Sequence, residues 1–238
     1  ADLREALHLI IRNHTVYPYG GHSISAADGL KDLDQDPANT NNVILVYSRR
    51  SEPKSTFGKV YGWNREHLWA NSYGLDYRPP SFTDLHNLRA EDFSVNCARG
   101  NKFYDQSNTN DVKYHFPAHV EAAQVSADHD SWEPPDEVKG DIARSLFYMA
   151  VRYTGDITNE PALKITNETE TITSTHTLMG RLDTLLRWHI EDPVDDRERL
   201  RNDRVYTNWQ HNRNPFVDHP EYVVPIFDPE NNVIIITE

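Results

Sequence analysis

The sequence predicts an α+β fold, a mixed and helix-rich single domain spanning residues 1–238. Three observations lead there. Apolar residues recur at helical spacing through the second half, short apolar runs of strand length sit in the first half and at the tail, and no repeat, low-complexity tract or linker divides the chain.

Each element follows from local signals. Asp2-Leu3-Arg4-Glu5 reads as a capping box opening a first helix, with Leu3, Leu7, Ile10 and Ile11 on one face. Residues 17–42, rich in Gly, Pro, Asp and Asn, read as loop. Val43 to Tyr47 has strand length, and a second extended run from Lys59 to Trp63 leads into Arg65-Glu66-His67. Gly74, Pro79 and Pro80 make residues 70–83 a loop. Leu85 to Arg89 reads as a brief strand, and Glu91 to Gly100 as a short helix with Phe93 and Cys97 on one side. Pro134-Pro135-Asp136 announces a helix with the stripe Val138, Ile142, Leu146, Met149, Ala150 and Tyr153. Further helices are expected over Ser174 to Glu191 and Asp195 to Val205. Two β runs, Val223 to Phe227 and Val233 to Thr237, are expected in the tail.

Composition narrows the function classes. The 37% hydrophobic and 11% aromatic content suits a globular chain rather than a disordered one. No run of about 18 apolar residues exists, so no membrane span is expected. The start at Ala1-Asp2-Leu3, without Met, fits a processed protein or a fragment. Cys97 has no second cysteine to pair with, and it reads as a small buried core residue. The net charge of −13 disfavours a polyanion as partner, yet it is unevenly spread. Residues 45–105 hold nine Lys or Arg against seven Asp or Glu, leaving fifteen against thirty elsewhere. An acidic exterior poor in lysine also reads as adaptation to salt, where screening shortens repulsion.

The balanced segment carries the chemistry. If Glu66 and His67 end a strand, their side chains point to opposite faces. A carboxylate is a hard ligand for Mg²⁺, Mn²⁺ or Ca²⁺, and an imidazole can take a proton from water at neutral pH. Alone, Arg65-Glu66-His67 reads as a surface Glu paired with Arg65 beside a half-buried His. The downstream hexapeptide Asp84-Leu85-His86-Asn87-Leu88-Arg89 and the pattern N-x-x-R-x-N from Asn96 through Arg99 to Asn101 change that reading. Strand, loop, strand and a helix with a polar ligand make the layout of a ββα-metal (His-Me finger) nuclease motif over residues 58–103, with a helical support region over 134–205.

These stretches, with Trp63-Asn64-Arg65-Glu66-His67 and the later Gly140 to Arg144, Phe147 to Met149, Asn202 to Arg204 and Asn212 to Phe216, resemble the endonuclease I family of secreted and periplasmic bacterial nucleases. The resemblance implies Glu66 and Asn96 as ligands of one Mg²⁺ or Mn²⁺, and His67 as the general base. It also implies an arginine on the phosphate: Arg78 in the loop after the triplet, or Arg99, whose position equally suits a structural salt bridge. It implies non-specific cleavage of DNA and, as an open alternative, RNA, with 5′-phosphate and 3′-hydroxyl products, by a secreted or periplasmic monomer. The family's paired cysteines are missing here.

Other residues carry structural readings beside functional ones. His86 fits an HNH-like ligand, but the resemblance makes it a bond across the hairpin. Trp63 and Trp69 are read as walls of the site rather than platforms for bases. Arg197, Arg199, Arg201 and Arg204 are read as i, i+4 partners of the interleaved acids, and Arg213 as either a substrate contact or a pin for the C-terminal segment. The remaining histidines show no zinc-like spacing. Two other functions compete: a silent nucleic-acid- or metal-binding module on the same scaffold, and a phosphodiesterase for small substrates.

Overall fold

A computed structural model describes residues 2–169 and 177–230. Its first helix, α1 (Leu3–Ile11), starts where Asp2 accepts a hydrogen bond from the Glu5 amide at 2.8 Å. The buried face is Leu7, His8 and Ile11, whereas Leu3 and Ile10 face solvent, so the inward stripe is rotated from the one expected.

A second helix, α2 (Ala26–Leu33), lies where a loop is expected. Ser25 and Asp28 form a reciprocal capping box, and Ala26, Leu30 and Leu33 supply a buried i, i+4, i+7 stripe. Gly29 is what disguises this helix. It is there because α2 presses on its neighbours: a Cβ at that position would stand 2.9 Å from a Leu85 methyl.

The first apolar run yields only a three-residue strand, β1 (Asn42–Ile44), paired antiparallel with β2 (Ser51–Pro53). Next come β3 (Trp63–His67) and β4 (Leu88–Asp92), an antiparallel pair with Glu66 opposite Arg89 and His67 opposite Leu88. The second strand therefore begins three residues later than expected, because the Asp84 carboxylate and carbonyl hold residues 84–88 in a turn. Helix α3 (Phe93–Arg99) follows without a loop, capped by Asp92. Its buried side chains are Val95 and Arg99. Cys97, expected in the core, is exposed on the far side of that helix.

A small sheet joins β5 (Phe103–Tyr104), β6 (Ser126–Ala127) and β7 (Ser131–Glu133) in the order β5-β7-β6. The long helix α4 (Lys139–Arg152) carries the expected stripe and is buried along nearly its whole length. Strands β8 (Lys164–Ile165) and β9 (Leu178–Met179) pair in parallel. Helix α5 (Leu182–Glu191) packs on α4 and begins later than expected. The part of the expected helix over 174–176 lies outside the described residues, as does the β run at 233–237.

Helix α6 (Asp196–Arg204) continues into one wide π turn, Val205–Trp209. Its arginines pair mostly across the fold. Arg201 reaches Asp34 at 2.8 Å, Arg204 reaches the Asp32 carbonyl, and only Arg199 bonds within the helix, to Asp196. Two short helices follow, α7 (Pro215–Asp218) and α8 (Val223–Phe227). The second replaces an expected strand. Val223 and Phe227 share one face at i, i+4 spacing, and Phe227 packs on Phe147 and Phe216. The observed class is α+β, with one core around α4 and a second between α2, β1, β3 and β4.

Candidate active site

Period-2 alternation along β3 sorts the triplet. Asn64 and Glu66 face α3, with Arg89 and Glu91 of β4 beside them. Trp63, Arg65 and His67 face the other way. One helical turn then places Asn96 and Arg99 on the side of α3 that lies against β3. Asn96 donates through Nδ2 to Asn64 Oδ1 at 2.7 Å and to the Arg65 carbonyl at 3.2 Å, which turns its own amide oxygen away from the strand. Glu66 and Asn96, thirty residues apart in sequence, thus share one face of the hairpin.

The Glu66 carboxylate is 2% exposed and its Oε1 accepts two bonds, from Tyr47 OH at 2.6 Å and from Arg99 Nη1 at 2.9 Å. Burial raises its pKa, and Arg99 with Tyr47 pulls the other way. Arg99 also donates to the carbonyls of His67 and Leu68 and lies 4.6 Å over the Tyr104 ring. Its Nη1 and Nη2 are spent inside the protein, its Nε is buried without a partner among the described residues, and its 1% exposure leaves no surface for a phosphate. Tyr47 and its partner Tyr104 belong to this network, yet no motif singled them out; Asn64, inside the Trp63-to-His67 motif, belongs to it too but had no role assigned. A tyrosine in a hydrophobic run reads as core until its hydroxyl is seen to meet a carboxylate.

His67 is half-buried beside a pair of aromatic rings, Phe82 and Tyr19, which pack on each other at 4.3 Å. Its ring stacks on Phe82 at 4.6 Å and lies 5.7 Å from Tyr19. Its Nε2 meets the Phe82 carbonyl at 2.8 Å. A carbonyl only accepts, so Nε2 carries the proton and Nδ1 carries the lone pair. Burial holds the pKa down to about 4, which keeps the imidazole neutral at neutral pH. The orienting group is a backbone atom and therefore has no sequence signature.

Arg65 packs its guanidinium 3.5 Å over the Tyr19 ring and donates to the Tyr19 carbonyl. Among the described residues it pairs with no carboxylate, and Glu66 meets Arg99 instead, so the Arg65–Glu66 surface pair does not form. Arg78 is exposed, and among the described residues its side chain has no hydrogen bond or ion pair. Its backbone carbonyl accepts from the Phe82 amide at 3.1 Å, which ties this loop to the residue that orients His67.

The remaining candidates resolve structurally. His86 is buried against Tyr148 and bonds the Asn212 carbonyl at 3.4 Å rather than crossing the hairpin; burial lowers its pKa to about 3. Trp63 and Trp69 are fully buried and offer no face to a base. Arg213 pairs with Asp203 and Asp218, the pinning alternative. Spacing alone did not reveal that Asp111, Asp128 and His129 bring ligand atoms within 4.8 Å of one another. Both Asp128 oxygens already accept backbone amides, from Asn108, Asp130 and Ser131, and Lys102 bonds the carbonyls of Asp128 and His129. That cluster closes a loop.

The Endonuclease I family model matches residues 1–221. The extracellular ribonuclease of Bacillus amyloliquefaciens is 45% identical over 227 residues, covering 94% of this chain and 73% of the relative. The extracellular ribonuclease of Bacillus subtilis (strain 168) is 45% identical over 230 residues, covering 95% and 74%.

Proposed function

Because the chain belongs to the endonuclease I family, we propose that it is a divalent-metal-dependent endonuclease that hydrolyses phosphodiester bonds of RNA and DNA, leaving 5′-phosphate and 3′-hydroxyl ends. A nuclease activity follows from the family; substrate, metal and residue roles are the proposal. The names of both relatives favour RNA as a substrate beside DNA, and a secreted site of action.

The observation that carries this reading is the division of labour on β3. Two hard oxygen donors, from Glu66 and Asn96, lie on one face, and an imidazole with a free Nδ1 lies at the strand end on the other. The donors suit Mg²⁺ or Mn²⁺: Oε1 of Glu66 is taken by Tyr47 and Arg99, leaving Oε2 for a cation. The Nδ2 of Asn96 is taken by Asn64 and the Arg65 carbonyl, which leaves its amide oxygen to accept a cation, and so small a protein set suits an ion that keeps several waters. Glu66 and Asn96 would hold a divalent cation there, and it would supply Lewis-acid stabilisation of the negative charge that develops on the phosphate.

His67 Nδ1 takes the proton of the attacking water, and the Phe82 carbonyl holds the ring and stabilises the imidazolium that forms. Arg78, exposed and unpaired, meets the phosphate; Arg99 acts one step back by fixing Glu66. Contacts through the backbone carry no sequence information, so cleavage is non-specific.

Digestion of plasmid, single-stranded DNA and RNA with Mg²⁺ or Mn²⁺, and with EDTA, tests the proposal. EDTA abolishes cleavage, and His67→Ala lowers the rate on the order of 10²–10⁴-fold. Undiminished cleavage in EDTA or by His67→Ala sinks the mechanism. A gel shift without cleavage at any metal concentration favours a silent binding module.

A further inference from the structure

Two bulky aromatic side chains flank the β3 hairpin in full solvent. Tyr61 is 73% exposed and Tyr77 is 75% exposed. A single exposed tyrosine is ordinary, and Tyr61 is that case: it lies on the turn before Trp63, at the end of β3 remote from His67.

Tyr77 differs in three respects. Its backbone is left-handed, with φ of 56°, directly after Asp76 at 51°. A bulky residue is a genuine outlier there. The conformation is held in place, because the Asn71 side chain accepts the Tyr77 amide at 2.9 Å and the Arg78 amide bonds the Leu75 carbonyl at 2.9 Å. The ring is also the outer member of an aromatic series that ends on the proposed base. Tyr77 meets Phe82 at 5.2 Å, and Phe82 stacks on His67 at 4.6 Å. Finally, the next residue is Arg78, exposed and, among the described residues, without a side-chain partner.

Resting on the nuclease reading above, we propose that Tyr77 is a nucleobase subsite: an unpaired base stacks on its free face while Arg78 takes the adjoining phosphate. Every base offers a π face, so the subsite is indifferent to sequence but not to strandedness. A base inside a duplex is stacked on its neighbours and reaches Tyr77 only by leaving the helix. The protein therefore prefers single-stranded RNA or DNA, or loops, over duplex. The stacking role weighed for Trp63 and Trp69 passes to a residue that substrate can touch.

The test compares wild type, Tyr77→Ala, Tyr77→Phe and the control Tyr61→Ala on a single-stranded oligonucleotide, its abasic counterpart and its duplex. Stacking of one base is equivalent to roughly 5- to 150-fold in affinity. Tyr77→Ala raises KM on the base-bearing single strand by about that factor. It leaves the abasic strand and the duplex nearly unchanged, and Tyr77→Phe keeps wild-type values. Equal losses on all three substrates, no loss on the single strand, or the same loss for Tyr61→Ala overturns the subsite. Fluorescence anisotropy of the labelled single strand in EDTA measures binding independently of cleavage. Unchanged binding by Tyr77→Ala overturns the subsite, whereas a binding loss in a protein that cleaves nothing supports it and overturns only the nuclease reading.

Discussion

Arg99→Met separates a phosphate clamp from a residue that positions a metal ligand. In the folded protein Arg99 is 1% exposed, meets the 2%-exposed Glu66 at 2.9 Å, and donates to two carbonyls at 2.8 and 3.0 Å. Methionine fills much of the same volume and supplies no donor. Glu66 is left as a buried charge with Tyr47 as its remaining side-chain donor, and the carbonyls of His67 and Leu68 lose their partner. Removing one member of a buried pair costs about 3–5 kcal/mol, a large share of the ~5–15 kcal/mol that holds a domain folded. The carboxylate responds as well: burial already raises its pKa, and loss of Arg99 removes the principal opposing charge. It shifts toward the neutral acid, a poor ligand. Urea unfolding should show the destabilisation, and calorimetric titration with Mn²⁺, in the absence of nucleic acid, should show weakened binding. Arg99→Lys retains the charge but cannot span Glu66 and both carbonyls at once, so it falls between the two. If Arg99→Met unfolds within about 1 kcal/mol of wild type and binds Mn²⁺ normally while cleavage fails, Arg99 acts on the phosphate and the positioning argument is wrong.

Two further perturbations probe the scaffold under the site. Glu91 is fully buried, has no cation against it, leaves Oε1 without a partner, and is pushed up by burial to about 8. Its folded pKa lies above the unfolded value, so its contribution to stability is complete below the ordinary glutamate range and is lost as pH rises through about 8. Glu91→Gln should therefore gain on wild type by about 1.4 kcal/mol per pH unit between pH 5 and 8, read from paired urea curves; a constant difference across that window refutes a neutral Glu91. Gly29→Ala gains helix propensity of about 1 kcal/mol. Its Cβ meets two Leu85 methyls at 2.9 and 3.1 Å, and overpacking costs about 1–3 kcal/mol. Net destabilisation is expected in thermal unfolding, and a raised Tm contradicts the close approach of α2 to Leu85.

How much of this could be read from the sequence depended on whether side chain or backbone carried the information. The helix at 139–152 was legible because its stripe of apolar residues is long and uninterrupted. The α2 helix was not, since Gly29 and the surrounding polar residues imitate a loop and only the packing on Leu85 explains the glycine. Likewise Val223–Phe227 has strand composition, but its phenyl ring is taken by Phe147 and Phe216, and a helical turn delivers it. At the site, Glu66, His67 and Asn96 stand in recognisable patterns. Their supports do not: a Phe82 carbonyl and a Tyr47 hydroxyl are supplied by the fold at positions where residue type alone says nothing, and Asn64, though inside the Trp63-to-His67 motif, shows its role only in its bond to Asn96.

The same supports explain why an acidic chain can present this site to a polyanion. The arginines nearest the reactive face are consumed internally: Arg65 by Tyr19, Arg89 by Ser145 and two carbonyls, Arg99 by Glu66. They set geometry and contribute little exposed charge. On the proposed reading, a cation held by Glu66 and Asn96, together with Arg78, would supply a small positive focus against a repulsive exterior. Association through so few charges should depend on salt with a shallow slope, because the slope counts the phosphates neutralised. Screening meanwhile weakens the repulsion from the rest of the surface. The acidic composition and the sparse cations of the proposed site act in the same direction: cleavage is predicted to tolerate salt, and a base stacked on Tyr77 would add affinity that salt does not screen.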